Sequence, residues 1–127
     1  MVQNLAGFTP IVELIRDGVF HLKKAATNPS FPKDALEQLL EIFRLAHENL
    51  VCFVKNNETN QRNLAHQLPL FLSNLALDIN QIPLICEIIK NHRFVCEIYA
   101  DQIINGISEA IIMHGRKEAF LDPLLVC

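Results

Sequence analysis

No run of the chain approaches the roughly 18–20 uninterrupted apolar residues that a membrane span needs. The two longest candidates, around Ile82–Ile89 and Ile103–Met113, are broken by Pro83 and Glu87, and by Asn105, Gly106 and Glu109. This stretch is therefore not expected to cross a membrane itself. There is no basic stripe and no alternation of arginine with aromatics, so nucleic acid is not an expected partner. Lys23-Lys24 and Arg116-Lys117 are pairs that suit solvated helix ends. The four glycines form no G-x-G and no P-loop, which removes the usual backbone cradle for phosphate. No C-x-x-C occurs, and no His/Cys pair has the spacing of a structural zinc site. Neither metal nor cofactor is expected. The opening residues, Met-Val-Gln-Asn-Leu, lack the basic and apolar regions of a signal peptide. Cys52, Cys86, Cys96 and Cys127 then read as small buried hydrophobes in a reducing, cytosolic setting, not as a disulfide framework.

What is present is apolar and periodic. Half of the 127 residues are hydrophobic, and the mean hydropathy is +0.22. The length suits one domain over residues 1–127. The excess of apolar residues is explained if the domain is a fragment of a much larger chain whose neighbours cover it.

The most regular stretch runs from Lys33 to Lys55. Leu36, Leu39, Leu40, Phe43, Ala46, Leu50, Phe53 and Val54 follow the i, i+3, i+4, i+7 spacing of an amphipathic helix. Arg44 is expected to pair with Glu41 and Glu48, at about 0.2–0.5 kcal/mol each. Ile42, Leu45, Val51 and Cys52 lie off the stripe, which predicts a helix touched from both sides, in the middle of a stack.

Around it, the first helix is expected to start with Thr9 as N-cap and Pro10 at N1, with Met1–Ala6 as the tail of an earlier helix. Gly18 should bend or stop it. Thr27–Pro32 is a break, with Pro32 at N1 of the long helix. Thr59 or Asn60 should cap a short helix Gln61–His66, and Pro69 should restart the chain before Leu70, Phe71, Leu72, Leu75 and Leu77. Asp78 or Asn80 should cap Gln81–Lys90. Arg93–Tyr99 reads as a short helix with Phe94, Val95 and Ile98 inward. Asp101 should cap Gln102–His114, with Ile103, Ile104, Ile107, Ala110 and Ile111 inward and Gly115 at C′. Arg116–Cys127 reads as one more helix, kinked at Pro123. No segment alternates with period two without also fitting a helix. The expected fold class is all-α, an armadillo- or HEAT-like α-solenoid of antiparallel helix pairs.

Catalysis is not expected. The one thiol hydrolase arrangement worth weighing is Cys96 as nucleophile with His92 as base, four residues apart. A lowered thiol pKa would support it, and complete burial of Cys96 would defeat it. His92 sits at a corner between helices, where capping or solvation is the expected role.

Glu41-Ile42-Phe43-Arg44-Leu45-Ala46-His47-Glu48 resembles a run in the RIH domain, the homology region shared by ryanodine and inositol trisphosphate receptors. The likeness is closest to the central copy in inositol trisphosphate receptors. Asn60-Gln61, then Leu64, His66 and Leu70-Phe71-Leu72, is similar to the family's next signature. Asn91 with Phe94, Cys96 and Glu97, and His114-Gly115-Arg116, follow in the family's order. The signature residues carried over are Glu41, Arg44, Leu45, His47, Glu48, Asn60, Gln61, His114, Gly115 and Arg116, all in structural roles. The resemblance implies a cytosolic segment of a homotetrameric calcium-release channel of the endoplasmic reticulum membrane. Its partners would be other domains of the same channel and neighbouring subunits, and it would relay motion from the ligand-binding region to the pore. In the family's amino-terminal copy, basic residues just before the Asn-Gln pair help bind inositol trisphosphate. Glu58 and Thr59 stand there in this chain, so direct binding of that ligand is not implied. The alternative is an armadillo-like protein-interaction scaffold unrelated to a channel.

Overall fold

The computed structural model describes the backbone of residues 2–114 and 118–123, and side chains over 9–112 (76 apart) and 120–123. The helices are α1 (Val2–Thr27), α2 (Lys33–Val54), α3 (Glu58–Ala65), α4 (Leu68–Leu72), α5 (Gln81–Ile89) and α6 (Arg93–His114). Short 3-10 turns occupy Leu75–Leu77 and Glu118–Leu121. The fold is all-α, and the described residues contain no strand.

The α2 stripe packs inward as its spacing predicts. Phe43, Ala46, Leu50 and Val54 are buried, while Leu36, Leu39, Leu40 and Phe53 pack half-buried against the core. α2 packs against α1, α3 and α5, so it does lie between other helices. Of the off-stripe residues, only Val51 packs half-buried against the core. Ile42 and Leu45 are each 50% exposed, and Cys52 is exposed. Pro32 is the N-cap of α2, not its N1 residue, so the helix starts one residue later than expected; the Pro32 backbone is extended (φ −59°, ψ 132°). Its carbonyl accepts the Leu36 N–H at 3.0 Å.

α1 differs most from its sequence reading. It runs unbroken through Pro10 and Gly18. Pro10 lacks the N–H for its i−4 carbonyl, a local cost that the length of the helix and the burial of Val12, Ile15, Val19 and Leu22 outweigh. Gly18 is a packing glycine. A Cβ built there would lie 2.9 Å from Phe43 Cε1 and inside the contact distance of Cζ. Glycine thus lets the Phe43 ring sit directly on the α1 backbone. Gly106 does the same for α4 and α6, where a Cβ would lie 2.9 Å from Leu72 Cβ.

The breaks are made by asparagine and aspartate. Asn56, Asp78, Asn80 and Asn91 have φ of 56°, 53°, 68° and 55°, the left-handed region that these residues enter more readily than other non-glycines. Asn56 and Asn91 fall just past α2 and α5, where such a residue ends a helix. The α3 cap is Asn57, not Thr59 or Asn60: its side chain accepts the Asn60 N–H at 3.0 Å. Asn80 occupies the N-cap position of α5 but makes no side-chain cap bond.

α6 is one 22-residue helix, and the expected break at Asp101 does not occur. Its inward stripe is Val95, Ile103, Ile107 and Ala110, with Cys96, Tyr99 and Ile111 half-buried. Phe94 and Ile98 are each 54% exposed and Ile104 49%, so all three face outward, against the reading above. Of the last expected helix, the described part is residues 118–123: the turn Glu118–Leu121, with Phe120 buried, runs into helical Asp122 and the buried Pro123. Gly115, Arg116 and Cys127 lie outside the described residues.

Candidate functional site

Of the signature residues, Arg44, Asn60 and Gln61 meet at the junction of α2, α3 and α5. Arg44, three turns into α2, sits within 3.6 Å of Glu37 and 3.5 Å of Glu41. Its Nε also donates to the carbonyl of Asp78 at 3.4 Å, which ties α2 to the loop before α5. The expected Glu41 partner is there; Glu37 takes the place expected for Glu48, which is exposed.

His47 is buried (1% exposed). Its Nδ1 lies 2.7 Å from the Phe43 carbonyl one turn back. A carbonyl can only accept, so Nδ1 carries the proton. The ring stands edge-on to Phe71 of α4, centroids 5.6 Å apart. Burial pushes its pKa below the ordinary 6.5, and the Phe43 carbonyl opposes that only in part. His47 is therefore held neutral. As pH falls below about 6.5 the unfolded chain takes up this proton before the folded one, so the stability His47 supports is full above that pH and lost below it. Urea midpoints should accordingly drop between about pH 7 and pH 5, and His47→Gln should flatten that slope. An unchanged slope in the variant would show that His47 is not held neutral.

Asn60 and Gln61, at the start of α3, are both buried. Asn60 Nδ2 donates to the carbonyl of Phe53 at 2.7 Å. Gln61 Nε2 donates to the carbonyls of Glu87 at 2.8 Å and Lys90 at 2.9 Å. These acceptors belong to the last turns of α2 and α5, where carbonyls run out of intrahelical donors. The pair therefore closes two helix ends from one turn of a third. Asn60 Oδ1 is buried without a hydrogen-bond partner among the described residues. Beside Gln61 opens a polar groove of ≈ 230 Å³, lined by Asn56, Glu58, Glu87, Lys90 and Asn91 as well. Lys90 Nζ is 3.8 Å from Glu87 Oε2.

The sequence reading missed Gln81 and Asn74. Gln81, 2% exposed, accepts the Ile79 N–H at 2.9 Å through Oε1 and donates from Nε2 to the Asn74 carbonyl. It fixes the whole loop before α5. Its only sequence signal is a polar side chain opening an apolar helix. Asn74 Nδ2 in turn donates to the Leu70 carbonyl at 2.9 Å.

His92 and Cys96 are not joined as base and nucleophile. His92 Nδ1 accepts the Val95 N–H at 3.4 Å, so the imidazole caps α6, and its Nε2 is buried without a partner among the described residues. The half-buried Cys96 gives its thiol to the Ile89 carbonyl at 3.2 Å. Cys86 is also half-buried, and burial together with the Asp122 and Glu87 carboxylates pushes its thiol up to about 11. A thiol so held is a poor nucleophile. Of the remaining signature residues, Leu45 is half exposed and His114 ends α6.

Among the described residues no helix is long and apolar enough to cross a membrane. None of them form a group of three or more His, Cys, Asp or Glu that could hold a metal ion. A family model described as the RIH domain matches residues 3–127. No solved structure matches the chain.

Proposed function

The chain belongs to the RIH domain family, a domain of ryanodine and inositol trisphosphate receptor channels, and from that we propose that it serves as a structural relay in such a channel. In this reading residues 1–127 are one helical-repeat unit of a much larger, homotetrameric calcium-release channel of the endoplasmic reticulum. The unit stands on the cytosolic side, resembles the central copy of inositol trisphosphate receptors, and is stacked as a solenoid between the ligand-binding region and the pore. The observation that carries the reading is the Asn60–Gln61 bridge. A relay needs elements that move together. Here one turn of α3 grips the ends of α2 and α5, while Arg44 ties α2 to the loop that leads into α5. A push on α2 therefore reaches α5 through hydrogen bonds as well as packing.

The groove beside Gln61 supports a relay over a ligand site. Glu58 and Glu87 both line it, and Lys90, the one cation among the described residues lining it, sits against Glu87. A trisphosphate placed there would meet carboxylates instead of the charge-assisted donors that phosphate requires. Titration calorimetry with inositol 1,4,5-trisphosphate at low salt, where weak electrostatic binding is favoured, should give no binding heat. Saturable, stoichiometric heat would overturn the assignment to the central copy and make this the ligand-binding one.

A further inference from the structure

Besides the stripe that meets the core, α6 carries a second one on its outer side. Phe94, Ile98, Asp101, Asn105, Ser108 and Ile112 recur at alternating steps of four and three residues, and all six are exposed. That is the spacing at which one helix packs along another. The stripe is apolar at both ends, with Phe94 and Ile98 54% exposed and Ile112 82%, and polar in the middle.

The charge along its middle has one sign. Asp101 lies on the stripe and Glu109 beside it. Both are exposed, and neither has an ion-pair partner among the described residues. Between Arg93 and His114 the helix has no Lys or Arg, and Arg93 is taken up by Glu97 at 3.1 Å. Arg62 of α3 meets the face at its start, 5.4 Å from the Phe94 ring centroid and about four helical turns from Glu109. Next to the stripe, between α4 and α6, runs a groove of ≈ 260 Å³. Pro69, Leu72 and Gly106 supply apolar lining, and Glu109 lines it too. A long apolar stem ending in a positive charge matches that lining, which is the make-up of a Lys or Arg side chain.

We propose that the outer face of α6 docks a basic amphipathic helix. The partner's apolar stripe lies on Phe94, Ile98 and Ile112, and its Lys or Arg side chains reach Asp101 and Glu109, one of them laid along the α4–α6 groove. Other occupants fit less well. The two unpaired carboxylates would repel an anionic membrane surface or a nucleic acid. The described outer faces of this chain do not supply such a helix to a second copy: α1 sets Glu13 and Asp17 beside Phe20 and Lys24, and α2 sets Glu41 and Glu48 beside Ile42 and Leu45.

The test takes the whole chain and two synthetic helical peptides long enough to span Phe94 to Ile112. One is built of leucine, alanine and lysine with the leucines on one face; the other has every lysine replaced by glutamate. Titration calorimetry at low salt should show saturable one-to-one binding of the lysine peptide, and binding of the glutamate peptide weaker by about tenfold or more. Added salt should narrow that gap, because the pairing charges are exposed. Asp101→Lys with Glu109→Lys should reverse the preference. Glu13→Lys with Asp17→Lys, the same change of charge on α1, should leave it intact. Ile98→Ser with Ile112→Ser should weaken the lysine peptide by about tenfold, with circular dichroism as in the wild type. No saturable binding of the lysine peptide would overturn the proposal, as would equal binding of the two peptides. So would a preference that the α1 charges reverse as readily as those of α6, or binding indifferent to the two isoleucine substitutions.

Discussion

Replacing Phe43 by alanine is expected to destabilise the chain by about 3–5 kcal/mol, the usual cost of truncating a buried phenylalanine. Phe43 is 5% exposed and faces the core from the middle of α2. Its ring also rests on the α1 backbone at Gly18, so the truncation opens a void between two long helices. Glu41→Ala, two residues away on an exposed face and losing only a 3.5 Å surface pair, should fall within about 0.5 kcal/mol. Gly18 supplies an internal control. Alanine there gains about 1 kcal/mol of helix propensity but runs into the Phe43 ring, and overpacking costs about 1–3 kcal/mol. In the wild type Gly18→Ala should therefore be neutral to destabilising, and in the Phe43→Ala background stabilising. That reversal is a coupling energy which two separated sites would not have. Equal and small effects of Phe43→Ala and Glu41→Ala in urea titrations would refute the face assignment of α2.

Gln61→Leu is expected to cost about 2–4 kcal/mol, since it leaves two carbonyls of the α5 C-terminal end without a donor and each unsatisfied buried group costs about 1–3 kcal/mol. Leucine keeps the volume and removes both hydrogen bonds, so lost packing is a small part of the effect. Native-state hydrogen exchange should localise it. Protection should fall in α3 and at the C-terminal end of α5 together, because one side chain joins them. A loss of protection confined to α3 would mean that the bridge does not couple the two helices.

The sequence made the long helix legible because its apolar spacing is regular over several turns and Thr27–Pro32 isolates it. Helix starts were harder. Asn56, Asn57, Thr59 and Asn60 all suit caps, and the choice fell to Asn57, the one whose backbone is extended (φ −134°, ψ 98°). In α6 two apolar stripes compete, one through Val95, Ile103 and Ile107 and one through Phe94 and Ile98. Periodicity cannot say which of them meets α5 and α4. Asp101 suits a cap only where a break precedes it; within the continuous α6 it is simply an exposed residue. The apolar residues around Cys52 suggest burial, yet its position on α2 turns it outward. At the junction, the family resemblance marked Asn60 and Gln61, but the carbonyls they hold lie in other helices. Gln61's partners, 26 and 29 residues on, leave no local pattern; Gln81 bonds to nearby backbone groups of Ile79 and Asn74, which carry no side-chain signature of their own.

The relay itself is tested most directly in the intact channel that carries this segment, by measuring ligand binding and calcium release side by side in wild type and Gln61→Leu. Loosening the α2–α3–α5 junction should lower release at saturating ligand while the channel still binds it, because in the proposed relay this segment transmits the signal and does not hold the ligand. Full release from a channel whose junction hydrogen exchange shows to be loosened would contradict the account, as would loss of ligand binding with release intact once ligand is raised to saturation.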